Sequence, residues 1–349
     1  MADGKRATDS ARGELPTRQS PYRDTLKNPH VPCPSLTPPN PVWTTLITNT
    51  DYLSGLLTLD FSLKKARSAY PLVALYTDTF PAEGLAALAA RGIPAQRIEY
   101  LLPTRSTRDY SADPRFYDCW SKLTPFSLVQ YDRVVQLDSD MLVLRNMDEL
   151  MTLELDDPEV AARGDPRESR RVFAAGHACV CNPLGKPHYP RDWVPANCAF
   201  TSQHADPDAA QTVGADPAAG PLGYMNGGLQ VVNPSRAIFD EIVEYMEDNA
   251  AALDFADQSL LSTLYKGRWV PLPYVYNALK TLRWPGVHDA IWRDGSVKNV
   301  HYILTPNPWD ELDAEGNSTS ADEAHLWWAD VNKERKAAER AAGIEDDGF

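Results

Sequence analysis

The stretch DRVVQLDSDMLVL, Asp132 to Leu144, decides the fold. Its uncharged centre, Val134 to Leu137, suits a buried strand, and two carboxylates follow, Asp138 and Asp140, with Ser139 between them. Adjacent strand residues point to opposite faces, whereas i and i+2 point the same way. Two acids so spaced at a strand end can approach one cation, and oxygen ligands with partial hydration suit Mg2+ or Mn2+. Such an ion can bridge a nucleotide diphosphate and neutralise a departing phosphate. A D-x-D triplet alone is weak, because a solvated turn can hold two acids by chance. The chain carries its own control: Asp206-Pro207-Asp208 lies in a Pro/Ala-rich stretch with no strand before it and no evident reason to be rigid.

The surroundings alternate strand and helix. VWTTLIT (42–48) reads as a first strand, YLSGLLTLDFSLKKARS (52–68) as a helix and PLVALYT (71–77) as a second strand. PAEGLAALAARG (81–92) is a helix stopped at Gly92, IEYLL (98–102) a third strand, and Phe116 to Tyr131 a helix-like approach to the opening stretch. This alternation predicts an α/β fold, a Rossmann-like sheet with helices on both faces, whose ligands collect at the carboxyl ends of the strands. Asp138 and Asp140 sit at such an end. GGLQVVNPS resumes strand character, Asn233-Pro234-Ser235 starts a helix through Met246, DFADQSLLSTLYKG is helical to Gly267, and KNVHYI is a late strand carrying His301.

Three regions stand apart. Residues 1–41, with eight prolines, read as a flexible leader. Residues 176–222 show little periodicity and read as an insertion in a single domain over 42–310, and a loop that long is usually functional or mobile. Residues 311–349 read as a polar extension holding a helix over ADEAHLWWADVNKERKAAERAA.

The net charge, 34 basic against 48 acidic residues or −14, disfavours non-specific binding to nucleic acid or anionic membrane, so an anionic substrate would need local help such as a metal ion. No apolar run is long enough to span a membrane, and MADGKRATDSARGELPTRQS lacks a signal-type apolar segment, so a cytoplasmic protein is expected. Its five cysteines, Cys33, Cys119, Cys179, Cys181 and Cys198, are then read as reduced thiols. Cys179, Cys181, Cys198 and His188 could form a zinc cluster, but C-x-C is tighter than the usual zinc spacing, which counts against it. The Asn317-Ser318-Thr319 sequon would go unused in a cytoplasmic protein. A homodimer is compatible with the sequence, which does not specify the oligomeric state.

Read together, WSKLTPFSLVQYDRVVQLDSDMLVLRNMDEL and four further motifs resemble the family 8 retaining glycosyltransferases, the group that includes glycogenin and galactinol synthase. The resemblance covers residues 42 to about 309, with a divergent centre. LITNTDY looks like the segment that cradles the nucleoside, through Leu46, Thr48, Asn49 and Tyr52, and Lys122 stands where the family has its donor-side lysine. MNGGLQVVNPS resembles the family's sugar-site strand, with Asn226 and Gly227, and DFADQSLL its D-x-x-D-Q element, with Asp254, Asp257 and Gln258. VHYILTPNPW resembles its H-[FY]…KPW ending. What this implies is the nucleotide-diphosphate-sugar (GT-A) transferase fold and a UDP-glucose or UDP-galactose donor. Asp138, Asp140 and His301 would bind Mn2+, or Mg2+, with Asp138 and Ser139 also on the donor. The acceptor would be a hydroxyl on a sugar, polyol, small molecule or protein tyrosine. Catalytic roles would fall to Asp257, Asp254, Lys122 and Gln258, either through a covalent carboxylate intermediate or, as the family is usually discussed, through front-face displacement.

The sequence also departs from the pattern. Asn307 replaces the family's loop lysine, Leu304 a glycine, and His177 an acid near the sugar, with Lys298 or Lys280 as candidate substitutes for the missing charge. Trp193, Tyr189 and Trp309 could stack on a sugar or simply pack. A catalytically silent UDP-sugar-binding relative, and a hydrolase with paired carboxylates, are the competing readings.

Overall fold

The strands are β1 (Pro41–Ile47), β2 (Leu72–Tyr76), β3 (Ala95–Arg97), β4 (Arg133–Leu137), β5 (Met141–Val143), β6 (Phe173–His177), β7 (Met225–Val232), β8 (Val270–Pro271), β9 (Ala278–Leu279) and β10 (Asn299–His301), of which β1, β2 and β5 are short runs rich in apolar and β-branched residues. This computed structural model describes residues 40–162, 168–216 and 222–349, all within one unit, Pro39–Phe349. The proline-rich leader and Cys33 lie outside the described residues, apart from the leader's last two.

Seven strands form a mixed sheet in the order β3-β2-β1-β4-β7-β6-β8, and a second sheet runs β5-β10-β9. β1 pairs in parallel with β2 and β4, while β7 runs antiparallel to β4 and β6. Alternate residues of the central strand β4 enter different clusters. Val135 and Leu137 pack with Leu59 and Leu63 of the helix Leu53–Lys65, whereas Val134 packs with Leu128 and Ile98. Both faces of β4 are therefore covered, which is why its centre carries no charge; its one polar residue there, the buried Gln136, accepts from Thr44 at 2.6 Å. The helices Arg236–Asn249 and Ala256–Leu264 bury Ile238, Ile242, Leu260 and Leu261 beside Phe126 and Phe173.

The ends of elements follow local chemistry. Ser235 caps its helix by accepting from the Ile238 N–H, and Gly92 takes the left-handed φ of +64° after Ala82–Ala90. Two expectations shift. The third strand is Ala95–Arg97 rather than IEYLL. It is an edge strand whose ladder ends where the Ile98 N–H donates to the Tyr76 carbonyl, and the chain then leaves the sheet. The approach to β4 is one short helical turn, Arg115–Cys119, followed by 3-10 turns, Trp120–Ser127, because Pro125 offers no N–H for an α-helix.

The helix Glu323–Ala341 is packed rather than loose. It buries Ala324, Trp328 and Arg335, and its Asn332 accepts from Thr58 of the helix Leu53–Lys65 at 3.0 Å. Among the described residues, no helix is long and apolar enough to cross a membrane.

Candidate active site

Two strand registers bring the acids and the histidine together. At the carboxyl end of β4 the Asp138 N–H donates to the Gly228 carbonyl at 2.8 Å, so the start of β7 lies against the D-x-D turn. The antiparallel pairing of β10 with β5 sets His301 opposite Met141, and the Tyr302 N–H donates to the Asp140 carbonyl at 2.8 Å. As a result His301 Nε2 stands 3.3 Å from Asp140 Oδ1 and 3.6 Å from Asp138 Oδ2. One ligand atom from each of the three lies within 4.8 Å of the other two. Octahedral cis edges are about 3 Å when metal–ligand distances are near 2.1 Å, so this donor set of two carboxylates and an imidazole fits a hard or borderline divalent ion.

The surroundings fix each of these side chains. His301 is 3% exposed, and its Nδ1 faces Asn277 Oδ1 at 2.9 Å. With a metal ion bound, that bond would keep the proton on Nδ1 and present the Nε2 lone pair to the ion. Asn277 in turn donates to Asn226 Oδ1 at 2.8 Å, which also accepts from the Gly228 N–H at 3.0 Å. A Cβ on Gly228 would meet His301 Cε1 at 2.3 Å, so only glycine admits the imidazole there. Burial pushes the Asp140 carboxyl up, but His301, Lys122 and Arg115 outweigh it and hold it below the usual range. Lys122 pairs with Asp138 at 2.7 Å; burial opposes its charge, and Asp138 with other neighbours keeps it protonated well above the usual lysine range.

The three side chains open onto a cleft of about 260 Å3. Leu46, Thr48, Asn49, Tyr52, Lys122 and Ser139 line it, as do Asn226, Gly227, Asp257 and Gln258. Asp257 is 3% exposed, and a Cβ on Gly227 would touch its Oδ2 at 2.4 Å. Burial raises its carboxyl to about 7, with Lys122 pulling the other way. Asp254 is not brought to the cleft; it pairs with Arg108 at 2.5 Å on the surface. The helix starts only at Ala256, so Asp254 precedes it and does not share a helical face with Asp257. The second D-x-D stays apart too: Asp206 accepts from the Ala209 N–H, and Asp208 is exposed.

A profile search over known families matches residues 44–313 to Glycosyl transferase family 8. The chain belongs to that family. Galactinol synthase 1 of Solanum lycopersicum is 27% identical over 309 residues, spanning 86% of this chain and 84% of the relative. Galactinol synthase 1 of Ajuga reptans is 28% identical, spanning 86% and 85%. Among solved structures, the galactosyltransferase LgtC in complex with donor and acceptor sugar analogs superposes with a TM-score of 0.51 at 16% identity, covering 87% of this chain and 100% of that one. The apo glycosyltransferase GlyE of Streptococcus pneumoniae gives 0.52 at 16%, this chain spanning 64% of that longer one. These two structures establish the shared GT-A fold.

In this family 8 transferase the departures from pattern have structural roles. Asn307 is a helix cap: its N–H donates to Asp310, and its side chain accepts in return. Leu304 lines the cleft with a left-handed φ of +69°, the conformation that a glycine would adopt freely. Neither proposed substitute lysine reaches the cleft. Lys280 is buried and donates to the carbonyls of Leu304 and Pro306, anchoring that loop, while Lys298 pairs with Glu149. His177 is 1% exposed, its ring nitrogens facing the carbonyls of Tyr224 and Ala215, so it is a core histidine and not a sugar contact. Trp309 packs on Tyr52 and Trp328 outside the cleft lining, whereas Trp193 and Tyr189 do line it. Sequence reading missed Asn277, Arg115 and Asp118. Arg115 lines the cleft and donates to Tyr52 and Asp113, and Asp118 accepts from Thr48 at 2.7 Å and Tyr100 at 2.6 Å.

Proposed function

We propose that this family 8 transferase is a retaining hexosyltransferase that moves galactose from UDP-galactose to a hydroxyl of a polyol, with Mn2+ held by Asp138, Asp140 and His301. The observation that carries this reading is the convergence of those three side chains, with Lys122, at the floor of one cleft. The sequence left glucose and galactose open; the relatives named galactinol synthase favour galactose and a polyol acceptor. The bound ion would supply positive charge to the diphosphate.

The chain's own residues do the rest. Lys122 and Arg115 are the cleft cations, and Arg115 takes the electrostatic role of the absent loop lysine. Leu46, Thr48, Asn49 and Tyr52 cradle the nucleoside, while Asn226, Gly227 and Gln258 border the sugar. Front-face displacement is preferred to a covalent route: of the two carboxylates such a route could use, Asp254 is held away from the cleft by Arg108, which leaves Asp257 to support the sugar. The anomeric carbon–phosphate oxygen bond breaks and the bond to the acceptor oxygen forms on the same face. The hydroxyl proton passes to the departing phosphate oxygen. Asp257 orients and electrostatically supports the sugar.

The test is a donor and acceptor screen with mass detection, NMR of the product anomer and Asp140→Asn as control. A galactosyl polyol of retained configuration, lost in the variant, is expected. UDP binding without any turnover would instead favour the catalytically silent reading, for which the missing loop lysine speaks. Glycoside cleavage without nucleotide would overturn both.

A further inference from the structure

A second cluster borders the cleft, whose lining includes Cys179. Cys179 and Cys181 follow β6, Cys198 precedes the helical turn Ala199–Ser202, and His288 follows the turn at Gly286. One ligand atom from each of the four lies within 4.8 Å of all the others. His288 Nε2 stands 3.2 Å from Cys181 Sγ and 3.3 Å from Cys198 Sγ. Tetrahedral zinc with Zn–S near 2.3 Å and Zn–N near 2.0–2.1 Å has S···N edges of about 3.5 Å and S···S edges of about 3.8 Å. Two of the S···N contacts are close to that edge, and the remaining pairs lie within 4.8 Å.

The chemistry of the set points the same way. His288 is fully buried and Cys198 is 2% exposed, so the group is not a patch of surface thiols. His204 Nε2 meets His288 Nδ1 at 2.9 Å, which holds the Nδ1 proton and turns the Nε2 lone pair toward the three sulfurs. Such an outer partner is what metal-bound imidazoles ordinarily have. The C-x-C spacing, which counted against zinc in the sequence, is no obstacle: both sulfurs reach the set, each within 4.8 Å of the other ligand atoms. The sequence also offered the wrong histidine. His188 packs against Tyr189, and His288, far along the chain, closes the set.

We propose that Cys179, Cys181, Cys198 and His288 hold a structural zinc ion. Three thiolates and an imidazole select zinc over Mn2+ or Mg2+, and four protein ligands leave no open position for catalysis. The ion would staple both ends of the segment between Cys181 and Cys198. That segment carries Asn182, Pro183, Tyr189 and Trp193 into the cleft lining, so the staple would set the shape of that wall.

The test is elemental analysis of full-length protein purified without chelator, followed by cobalt exchange. About one zinc per chain is expected. The cobalt form should show thiolate-to-metal charge transfer in the near ultraviolet and intense tetrahedral d–d bands. Both signals should vanish in Cys198→Ser and persist in Asp140→Asn, which separates this site from the transfer site. Stripping the zinc should also speed tryptic cleavage after the exposed Arg191. Wild-type protein without zinc and with only weak octahedral cobalt bands overturns the proposal. So does zinc that survives Cys198→Ser but leaves with Asp140→Asn, or an intact mass showing a disulfide among these cysteines.

Discussion

Replacing Asn277 by alanine removes a side chain that touches no substrate yet should cost metal affinity. Asn277 is 1% exposed, accepts from His301 Nδ1 at 2.9 Å and donates to Asn226 at 2.8 Å. Without it the imidazole loses the partner that fixes its tautomer and ring plane. Loss of such an outer partner typically weakens metal binding 10–100-fold, or about 1.4–2.8 kcal/mol. Two buried hydrogen bonds also go, at about 1 kcal/mol each, so the variant should melt lower while staying folded. Titrating Mn2+ into wild type and Asn277→Ala by calorimetry, and then measuring turnover at saturating metal, separates these effects. The apparent metal constant should rise by that factor and most turnover should return at high metal. Asn277→Asp keeps an acceptor for Nδ1 and should retain wild-type affinity or better. Unchanged metal affinity in Asn277→Ala, with only a lower melting temperature, would refute the assignment of His301 as a ligand.

Other consequences follow from the same geometry. Gly228→Ala places a Cβ at 2.3 Å from His301 Cε1, so the ring must move; a misplacement near 1 Å should cost about 100-fold in turnover, read by steady-state kinetics. Arg115→Ala should raise the donor KM about 10–100-fold, the worth of a hydrogen bond to a charged group, and leave the Mn2+ constant unchanged in calorimetry. Asp257→Asn should change the pH dependence of stability. Burial raises the Asp257 carboxyl from 3.8 to about 7, so between those values the native protein keeps a proton that the unfolded chain has lost. Wild type therefore loses stability as pH rises through that window, by up to ~4 kcal/mol, and the asparagine variant does not. Urea denaturation in EDTA from pH 4 to 8 should show the two curves diverging upward in pH.

What could be read in advance depended on how local the cause was. The Asp138–Asp140 turn is encoded within a few residues, by an apolar strand that ends in acids, and β1, β2 and β4 carry their own apolar signal. His301 was reachable because its motif resembles a family ending. Asn277 was not, because its role arises only when β9 and β10 pair in register and set its amide beside a ring far along the chain. Asp254 and Asp257 look alike in sequence; the helix start at Ala256, which itself has a φ of +43°, decides which one enters the cleft. The histidine of the cysteine cluster was missed for the same reason: His188 is near in sequence, and His288 is near only in space. The short β3 was misplaced because an edge strand of three residues has little apolar pattern to announce it.

The decisive measurement is the anomalous difference map of the full chain crystallised with Mn2+ and UDP. The geometry of Asp138, Asp140 and His301 predicts a manganese peak bonded to all three, with the diphosphate resting on it and Lys122 close by. A UDP molecule in the cleft with no manganese between its phosphates and those three side chains would contradict it.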